Sequence, residues 1–507
     1  MQPQHRLATK RDANDSKRSY VYRPRTPHDG VLHQVLANHL ESFISAAEAA
    51  DGNGIPYFVE KELRAYLTCG NLAAGFARFR CSSCSTERLV AFSCKGRGIC
   101  GSCGGRRMTQ LAADLVDHVI PFVPVRQFVL SFPHRLRYLL AYNHARAIGV
   151  IRICIRTIMS FYRRRAKRKG LADGRTGSVT FIQRFGSAAN LNLHAHVLML
   201  DGVFIEKNDG ELQFQRAAPL RDQEIHTLLI RIRKRVLRHL HRQGVLENEY
   251  DIDPFSDESP VLASCYATSI GGRQMLGERP GSKLQRVGHD PHTSWIQSRG
   301  PLQAHIDGFD LHAKLTIASH TKKGRLPLEK IARYCARPPI SQDRLSQLHD
   351  GRVSLELKTR WHDGTTHVLY SPLDFLARLA ALIPAPRKNL VLYHGVLAPN
   401  SRWRQRAVTY RRPIDSESAQ RPRTRLEEDK VAPPRIRRSW AELMLRAFGF
   451  DLLTCPNCSS KMTLIACILE RSAIRKILTH LALPDELPTL TPARPPPGSE
   501  AAIDYYA

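Results

Sequence analysis

The chain has 507 residues, 42% of them hydrophobic, a formal net charge of +30 and a sequence pI near 10.0. This length exceeds one compact core and predicts two to four domains. Because there is no apolar run of about 18 residues and no apolar signal-peptide core, the sequence argues against a membrane protein. It predicts an intracellular, soluble protein whose polyanionic partner is nucleic acid.

The N-terminal quarter combines a basic flexible segment, residues 1–30, with a cysteine-rich region at 31–120. Helices are predicted at Val35–Ala50 and Val59–Leu67, before the cysteines. Two C-x-x-C pairs then follow with 15 residues between them, which is zinc-ribbon spacing. The expected ligands of one structural zinc are Cys81, Cys84, Cys100 and Cys103.

Further cysteines and basic residues surround these pairs. Cys69 and Cys94 could serve a second ion, replace a ligand, or be buried thiols. Basic side chains of the same region are predicted to contact DNA phosphates. The residues in question are Arg78, Arg80, Lys95, Arg97, Arg106 and Arg107.

A His-x-His pair is the most informative feature of the next region, 121–345. After a helix from Arg106 and a strand at Gln127–Phe132, strands are predicted at Ser178–Arg184 and Leu193–Leu200. Strand side chains alternate between faces, so His194 and His196 point the same way. Two imidazoles on one face can hold one divalent metal ion.

Helical periodicity predicts long helices on either side of these strands, at Ala147–Lys169 and Asp222–Gln243. The apolar/polar alternation of Phe309–Ile317 predicts a further strand with His312 on its polar face. His312 is therefore the first candidate for a third metal ligand. Gln183, on the strand paired with the His-x-His strand, is the alternative.

A tyrosine with cationic neighbours follows. Pro327 suits the first turn of a helix that Pro338-Pro339 ends. Tyr334 lies in this helix, and Arg333 and Arg337 could hold a phosphate near its hydroxyl. Beyond it, Arg352–Lys358 and Thr366–Tyr370 resemble a hairpin within an extension at 346–409.

The C-terminal part is predicted to contain a basic Pro-rich linker at 410–438, a small domain at 439–484 and a flexible tail at 485–507. The small domain carries Cys455-Pro456-Asn457-Cys458. This C-x-x-C turn either binds zinc with an unidentified partner or is simply a tight turn.

Several motifs, in order, carry a family resemblance. They are Cys69-Gly70, both C-x-x-C pairs, Gln183-Arg184-Phe185-Gly186, Leu193-His194-Ala195-His196, Phe309-Asp310-Leu311-His312, Arg333-Tyr334 with Arg337-Pro338-Pro339, Tyr393-His394-Gly395 and Cys455-Pro456-x-Cys458. Over about residues 30 to 480 the chain resembles the rolling-circle insertion-sequence transposases, the group that includes the ISCR elements, with their zinc-binding domain and HUH motif.

The resemblance implies an α+β fold, in which an HUH-type antiparallel sheet flanked by helices is preceded by a zinc-binding domain. It implies that His194 and His196 bind Mg²⁺ or Mn²⁺ and that Tyr334 attacks the scissile phosphate, giving a 5′-phosphotyrosine. The implied partners are single-stranded DNA of the element ends and target, and the implied location is cytoplasmic, in association with the bacterial nucleoid. A homo-oligomer is left open.

The chain also departs from part of this family. Some members carry two tyrosines four residues apart, but positions 330 and 338 here are lysine and proline. A second strand transfer would need a 3′-hydroxyl, another subunit's tyrosine, or Tyr370 or Tyr393. The alternative functions are a replication initiator or relaxase with the same chemistry, and a non-catalytic zinc-finger regulator.

Overall fold

The structure is a computed structural model that describes residues 26–51, 53–245, 253–276, 279–290, 300–413, 439–448, 451 and 453–494. Its contacts divide the chain into two compact units. The first comprises residues 1–27, 68–93 and 436–487, and the second comprises 28–67, 94–435 and 488–507. Most of the predicted N-terminal segment and linker, and the end of the tail, lie outside the described residues.

The α-helices alternate with short strands along the chain. The helices are α1 Val31–Asp51, α2 Tyr57–Leu67, α3 Gly101–Asp114, α4 His134–Tyr142, α5 His144–Lys167, α6 Asp222–His241, α7 Pro254–Glu258, α8 Pro260–Gly271, α9 Lys322–Cys335, α10 Pro372–Leu382, α11 Arg404–Thr409, α12 Trp440–Phe448 and α13 Arg471–His480. Within the described ranges, no helix has the length and apolar character needed to cross a membrane.

The strands form antiparallel sheets of two to seven strands. They are β1 Phe76–Cys81, β2 Glu87–Ala91, β3 Val125–Ser131, β4 Gly177–Phe185, β5 Leu191–Leu200, β6 Gly202–Glu206, β7 Leu212–Arg216, β8 Gln285–Val287, β9 Gln303–Ile306, β10 Phe309–His312, β11 Thr316–Ile317, β12 Leu345–Gln347, β13 Val353–Glu356, β14 His367–Tyr370, β15 Val391–Gly395 and β16 Met462–Ile468. The mixture of helices and antiparallel sheets confirms the α+β class.

A seven-stranded sheet forms the centre of the second unit. Its order is β15-β4-β5-β3-β10-β9, with β11 also paired to β3. The long strand β5 is hydrogen-bonded on both sides, to β4 and to β3, and every pairing is antiparallel. The predicted neighbouring strands Ser178–Arg184 and Leu193–Leu200 are therefore confirmed.

Helices α5 and α6 cover one face of this sheet. The apolar side chains of α6 that give it its helical periodicity are buried from Ile225 to Leu240, and they join a cluster that includes Leu193, Ala195 and Val197 of β5. Each fully buried aliphatic side chain contributes about 1.5–3 kcal/mol. The alternate residues of β5, including both histidines, consequently face the other side of the sheet.

Helix α9 packs on that other side, where Leu328, Ala332 and Cys335 join a second apolar cluster. The helix begins at Lys322, five residues before the predicted start at Pro327. The side chain of Thr321 accepts a hydrogen bond from Gly324 N and caps the first turn. This cap sets the helix start, and Pro327 lies inside the helix.

The predicted strand Phe309–Ile317 is interrupted in the structure. His312 lies opposite Val129 of β3, whereas Thr316 lies opposite Arg126. Four steps along one strand thus oppose three along the other, so an extra residue divides the segment into β10 and β11. Farther on, β13 pairs with β14 in a sheet of order β12-β13-β14-β8, which confirms the predicted hairpin.

The first unit joins two distant parts of the chain. Strand β16 pairs with β1, which also pairs with β2, to give the order β16-β1-β2. Ile474 and Leu478 of α13 pack against Ala73 and Phe76. The segment after the linker is therefore not the separate small domain that the sequence predicted, because its strand completes a sheet begun near residue 76.

Candidate active site and metal centres

His194 and His196 form the centre of the site in the second unit. They lie on the α9 side of β5, with His194 opposite Gln183 of β4 and His196 opposite Val129 of β3. Their Nε2 atoms are 3.2 Å apart. Two nitrogen ligands at right angles, each about 2.1 Å from one ion, would be separated by about 3 Å. The pair therefore has the spacing of two ligands of a single ion.

Both imidazoles are held in the neutral form that binds metal. Burial lowers the pKa of His194 to about 4, and burial with the neighbouring His194 lowers that of His196 to about 3. His194 Nδ1 lies 2.8 Å from the carbonyl oxygen of Asn192. Since that oxygen can only accept, Nδ1 carries the proton and Nε2 presents its lone pair. Gln127 Nε2 lies 3.0 Å from His196 Nδ1 and fixes the orientation of the second ring. For His196 Nε2 to bind metal, this amide would present its oxygen to Nδ1–H instead.

Tyr334 lies beside this pair. Its ring centroid is 5.7 Å from that of His196, at an interplanar angle of 86°, and the side chain is 38% exposed. Gln183 Nε2 donates to the carbonyls of Tyr334, at 3.1 Å, and Cys335, at 2.7 Å. These carbonyls belong to the last turn of α9, where the regular i+4 hydrogen bonds of the helix end. Gln183 thus attaches the tyrosine helix to the strand next to the histidines.

Two cations flank the tyrosine ring. The guanidinium of Arg337 is 4.6 Å from the ring centroid and the ammonium of Lys358 is 4.9 Å from it. Arg337 Nε is buried and has no hydrogen-bond partner among the described residues. Arg333, the other predicted partner, does not line the cavity at Tyr334. The site therefore brings Arg337 to the tyrosine and adds Lys358, which the sequence reasoning missed.

A cavity of about 550 Å³ opens at Tyr334. Besides Arg337 and Lys358, it is lined by three further cations, Arg286, Arg344 and Arg360. Among the described residues, Asp363 is its one acidic lining residue. Trp361 adds an aromatic surface, with Nε1 donating to Ser187 Oγ at 3.2 Å. The basic run from Lys358 to Arg360 could have marked this wall in the sequence.

The third metal ligand predicted first, His312, is not beside the pair. β10 pairs with β3, not with β5, so His312 is two strands, roughly 10 Å, from His196. In the described part of the chain, no third His, Cys, Asp or Glu completes a ligand group with the pair. Two oxygens nearby suit a hard divalent ion: Gln183 Oε1 and Asn192 Oδ1 are buried without hydrogen-bond partners in the described structure.

The candidates for a second nucleophile differ in accessibility. Tyr370 is 1% exposed, and its hydroxyl donates to the carbonyl of Ala188 at 2.5 Å. Burial also raises its pKa well above the usual value. Tyr393 is partly buried against the apolar cluster on the histidine side of the sheet. Neither tyrosine lines the cavity at Tyr334.

The first unit holds a four-cysteine cluster. Cys81, Cys84, Cys455 and Cys458 have sulfur atoms within 4.8 Å of one another. Cys81 is 3.4 Å from Cys458 and Cys84 is 3.5 Å from Cys455, measured between sulfurs. Ligands of a tetrahedral zinc with bonds of about 2.3 Å lie about 3.8 Å apart. Four thiols at this spacing fit one zinc ion.

The two C-x-x-C segments of this cluster have matching backbones. Ser85 N donates to the carbonyl of Cys81 at 3.1 Å, and Ser459 N to that of Cys455 at 2.9 Å. Ser85 and Ser459 also share left-handed φ angles of 55° and 60°. Although burial opposes it, hydrogen bonds from backbone N–H groups lower the pKa of Cys455 to about 6, which favours a thiolate.

The predicted set of zinc ligands is therefore wrong in its grouping. Cys100 and Cys103 belong to the second unit, where they group with Cys94. The sulfurs of Cys94 and Cys103 are 3.5 Å apart, and Cys100 caps the start of α3. Cys69 is buried and belongs to the first unit. The motifs at Cys81–Cys84 and Cys100–Cys103 have the spacing of one zinc ribbon. That spacing alone does not reveal that Cys84 is grouped with Cys455, 371 residues away.

The predicted DNA-contacting residues are divided between the two units. Arg78 and Arg80 belong to the first unit, where Arg78 pairs with Glu87 at 2.8 Å and Arg80 Nη2 donates to Ser85 Oγ. Four others belong to the second unit: Lys95, Arg97, Arg106 and Arg107. Arg97 and Arg107 donate to backbone carbonyls there. These two guanidiniums therefore support loops as well as contributing charge.

Comparison with known proteins identifies two family regions. Residues 177–405 match a model described as "Putative transposase", and residues 35–132 match a model described as "Transposase zinc-binding domain". Over 341 residues, 66% of this chain and 68% of the relative, the sequence is 24% identical to the transposase for insertion sequence element IS801 of Pseudomonas savastanoi pv. phaseolicola. No solved structure matches. The zinc-binding match and the cysteine clusters together support structural zinc.

Proposed function

Because the chain belongs to the rolling-circle insertion-sequence transposase family and carries that family's zinc-binding domain, we propose that it is an HUH-type enzyme that cleaves and rejoins single-stranded DNA at the element's ends and target. The proposal rests above all on Tyr334, whose ring lies 5.7 Å from that of His196. A nucleophile, two metal-binding nitrogens and a basic cavity then share one place in the second unit.

In the proposed cleavage step, Tyr334 Oη attacks the phosphorus of a phosphodiester bound in the cavity. A P–O bond to tyrosine forms, the bond to the 3′-oxygen breaks, and that oxygen takes up a proton while the tyrosine proton leaves to solvent. The products are a 5′-phosphotyrosine and a 3′-hydroxyl. Arg337 and Lys358 favour the phenolate and the phosphate charge. The reverse attack by a 3′-hydroxyl rejoins the strand.

The residues present suit a divalent ion. His194, His196 and Gln183 would hold it, with Asn192 as a further oxygen donor, because two neutral imidazoles lie beside two unpartnered buried amide oxygens. Mg²⁺ or Mn²⁺ accepts such a mixed nitrogen and oxygen set. When bound, the ion would polarise the scissile phosphate. Gln183 would also keep Tyr334 in place through the two helix carbonyls.

The basic cavity is the proposed path of the DNA strand toward Tyr334. Lys358, Arg360 and Arg344 would contact phosphates, and Trp361 offers a face on which a base could stack. Single-stranded DNA suits this site because an unpaired base can reach an aromatic wall. This arrangement favours an enzyme over the non-catalytic zinc-finger regulator, which needs none of these residues.

A covalent-capture assay tests the proposal. The full-length chain is incubated with a labelled single-stranded oligonucleotide of element-end sequence and Mn²⁺, and we expect a protein–DNA adduct that survives denaturation. Tyr334→Phe removes only the attacking oxygen and should abolish the adduct. Tyr57→Phe, at a tyrosine 73% exposed on α2, is the matched control and should keep it.

Adduct formation by the Tyr334→Phe chain would contradict the assignment. Mass spectrometry of the nucleotide-linked peptide would then show which tyrosine serves, Tyr393 being the first to examine. No adduct with the unsubstituted chain, in either Mg²⁺ or Mn²⁺, would contradict the proposed chemistry itself.

A further inference from the structure

A second cluster of arginines lies far from Tyr334. It surrounds a cavity of about 330 Å³ between α5 and α6, the two helices that cover the sheet face opposite to the histidines. Its charged lining residues are Arg164, Arg165, Arg168, Arg221, Arg231 and Glu224. Since the whole sheet separates this cavity from Tyr334, the two sites cannot bind the same phosphate.

The charges in this cluster are not balanced. Glu224 is the one acidic lining residue among those described, and it pairs with Arg165 at 2.8 Å while accepting from Arg221 N at 3.0 Å. Within the described ranges, no carboxylate forms a salt bridge with the remaining four: Arg164, Arg168, Arg221 and Arg231. An anion entering the cavity would meet several cations and a single, already occupied carboxylate.

Arg164 is the least satisfied cation of this cluster. Its Nη2 is buried and has no hydrogen-bond partner in the described structure. Burial lowers the pKa of Arg164, and repulsion from Arg231, Arg235 and Arg168 lowers it further. A donor left without an acceptor in this way costs free energy unless a ligand satisfies it. A phosphate oxygen is a suitable acceptor for a guanidinium.

The helix dipoles explain only part of the cluster. Arg164 and Arg165 lie in the last turn of α5, where cations are favourable. Arg221, in contrast, is the N-cap of α6, an end that favours anions, and Arg231 lies in the middle of that helix. These two arginines gain nothing from the dipole, so their position beside Arg164 needs another explanation.

We propose that Arg164, Arg168, Arg221 and Arg231 bind the phosphate backbone of a second DNA segment while Tyr334 acts on the first. The identification of the ligand as DNA rests on the proposed function. Two separated phosphate sites would let one chain hold the cleaved strand and the DNA to which it is joined. Guanidiniums contact backbone phosphates without reading bases, so this second site would be independent of sequence.

The test uses the full-length Tyr334→Phe chain, saturated with unlabelled element-end oligonucleotide. A labelled DNA of unrelated sequence, either duplex or single-stranded, is then titrated at several salt concentrations. For Arg168→Glu with Arg231→Glu, we expect binding of the second DNA to weaken at least about tenfold, with a salt slope smaller by about two. Loss with either DNA form supports the site, and the form that loses more identifies the ligand.

The matched control is Arg152→Glu with Arg156→Glu. These exposed arginines lie on the same helix, roughly 12 to 18 Å before Arg164, and give the same change in net charge. Equal weakening by both pairs, or no weakening by the first, would overturn the proposal. Arg168→Gln with Arg231→Gln repeats the test without adding acids, in case the charge-reversed chain does not fold.

Adduct formation by the same substitutions in the Tyr334-containing chain separates this inference from the proposed function. With a short element-end oligonucleotide we expect the adduct yield to stay within about twofold. Failure of every chain to form an adduct would count against the Tyr334 chemistry. Normal adduct formation with no second binding event would count against the arginine site alone.

Discussion

The histidine pair and the four-cysteine cluster differ in what holds them in place. His194 and His196 lie on the central strand of a seven-stranded sheet with apolar clusters on both faces. The cysteines lie at one end of a three-stranded sheet, in a unit whose two buried clusters contain only a few residues. A small unit of this kind cannot be stabilised by its apolar core alone. Metal should therefore serve chemistry in the first case and folding in the second.

Removal of the proposed zinc ligands should have the largest effect. Cys455→Ser with Cys458→Ser leaves two thiolates, and structural zinc contributes about 10 kcal/mol or more to folding in small zinc domains. We expect one zinc fewer per chain by metal analysis and rapid proteolysis within 68–93 and 453–487. Cys467→Ser, at an exposed cysteine of β16 outside the cluster, is the control and should behave like the unsubstituted chain.

A truncation sharpens the same point. Fragment 31–120 contains Cys81 and Cys84 but neither Cys455 nor Cys458. We expect it to lack the zinc of the first unit, although the cysteine pattern at 81–103 alone suggests a self-contained ribbon. A full zinc complement in that fragment, measured on freshly purified and unchelated protein, would refute the grouping of ligands across the chain.

Substitution of the histidines, in contrast to that of the cysteines, should greatly reduce activity while changing stability only slightly. His194→Ala with His196→Ala should reduce metal-dependent cleavage about 10³-fold, because metal catalysis supplies several kcal/mol of transition-state stabilisation. The free energy of unfolding should change by only about 1–2 kcal/mol, since the sheet remains. Adduct yield and a denaturant titration measure the two effects. Unfolding of the second unit in this variant would show that the ion is structural there as well.

The polar network at the end of β5 offers a test of whether the fold of the second unit, and not a bound metal ion, keeps the histidine pair in place. Asp201 is 2% exposed, pairs with Arg126 at 3.0 Å and accepts a hydrogen bond from Tyr162 Oη at 2.8 Å. Asp201→Asn would leave Arg126 buried without its counter-charge, at about 3–5 kcal/mol. We expect denaturant unfolding of the second unit at lower concentration, with zinc content unchanged. Unchanged stability would mean that the ion pair of Asp201 and Arg126 makes no net contribution to the free energy of unfolding.

Residues close in sequence were the predictable part of the site. Alternation along β5 was enough to place His194 and His196 on one face, and the short loop before β5 predicted that Gln183 lies on the neighbouring strand. Tyr334 was identified from its family motif and its cationic neighbours. Local periodicity also predicted α6 and the β13–β14 hairpin, because each buries an apolar set with a regular repeat.

Features set by the order of strands and by distant segments were not predictable. His312 has the same alternation as the histidine pair, but β3 lies between β10 and β5, and strand order is not visible in a local pattern. Cys455 and Cys458 complete a cluster begun at Cys81, and only the pairing of β16 with β1 reveals it. Lys358 follows β13, and its contact with the ring of Tyr334 is not visible in any local pattern.

The smallest expected effect distinguishes the two candidates for the third ligand. Gln183→Ala would remove Oε1 from the histidine side and both donated bonds to α9, and loss of such supporting interactions typically costs 10–100-fold in metal affinity or activity. We therefore expect a loss of about that size in adduct yield and a higher Mn²⁺ requirement. His312→Ala is the matched comparison, and its Mn²⁺ requirement should be unchanged because β3 separates it from His196. The reverse result, a raised requirement only in His312→Ala, would assign the third ligand to His312.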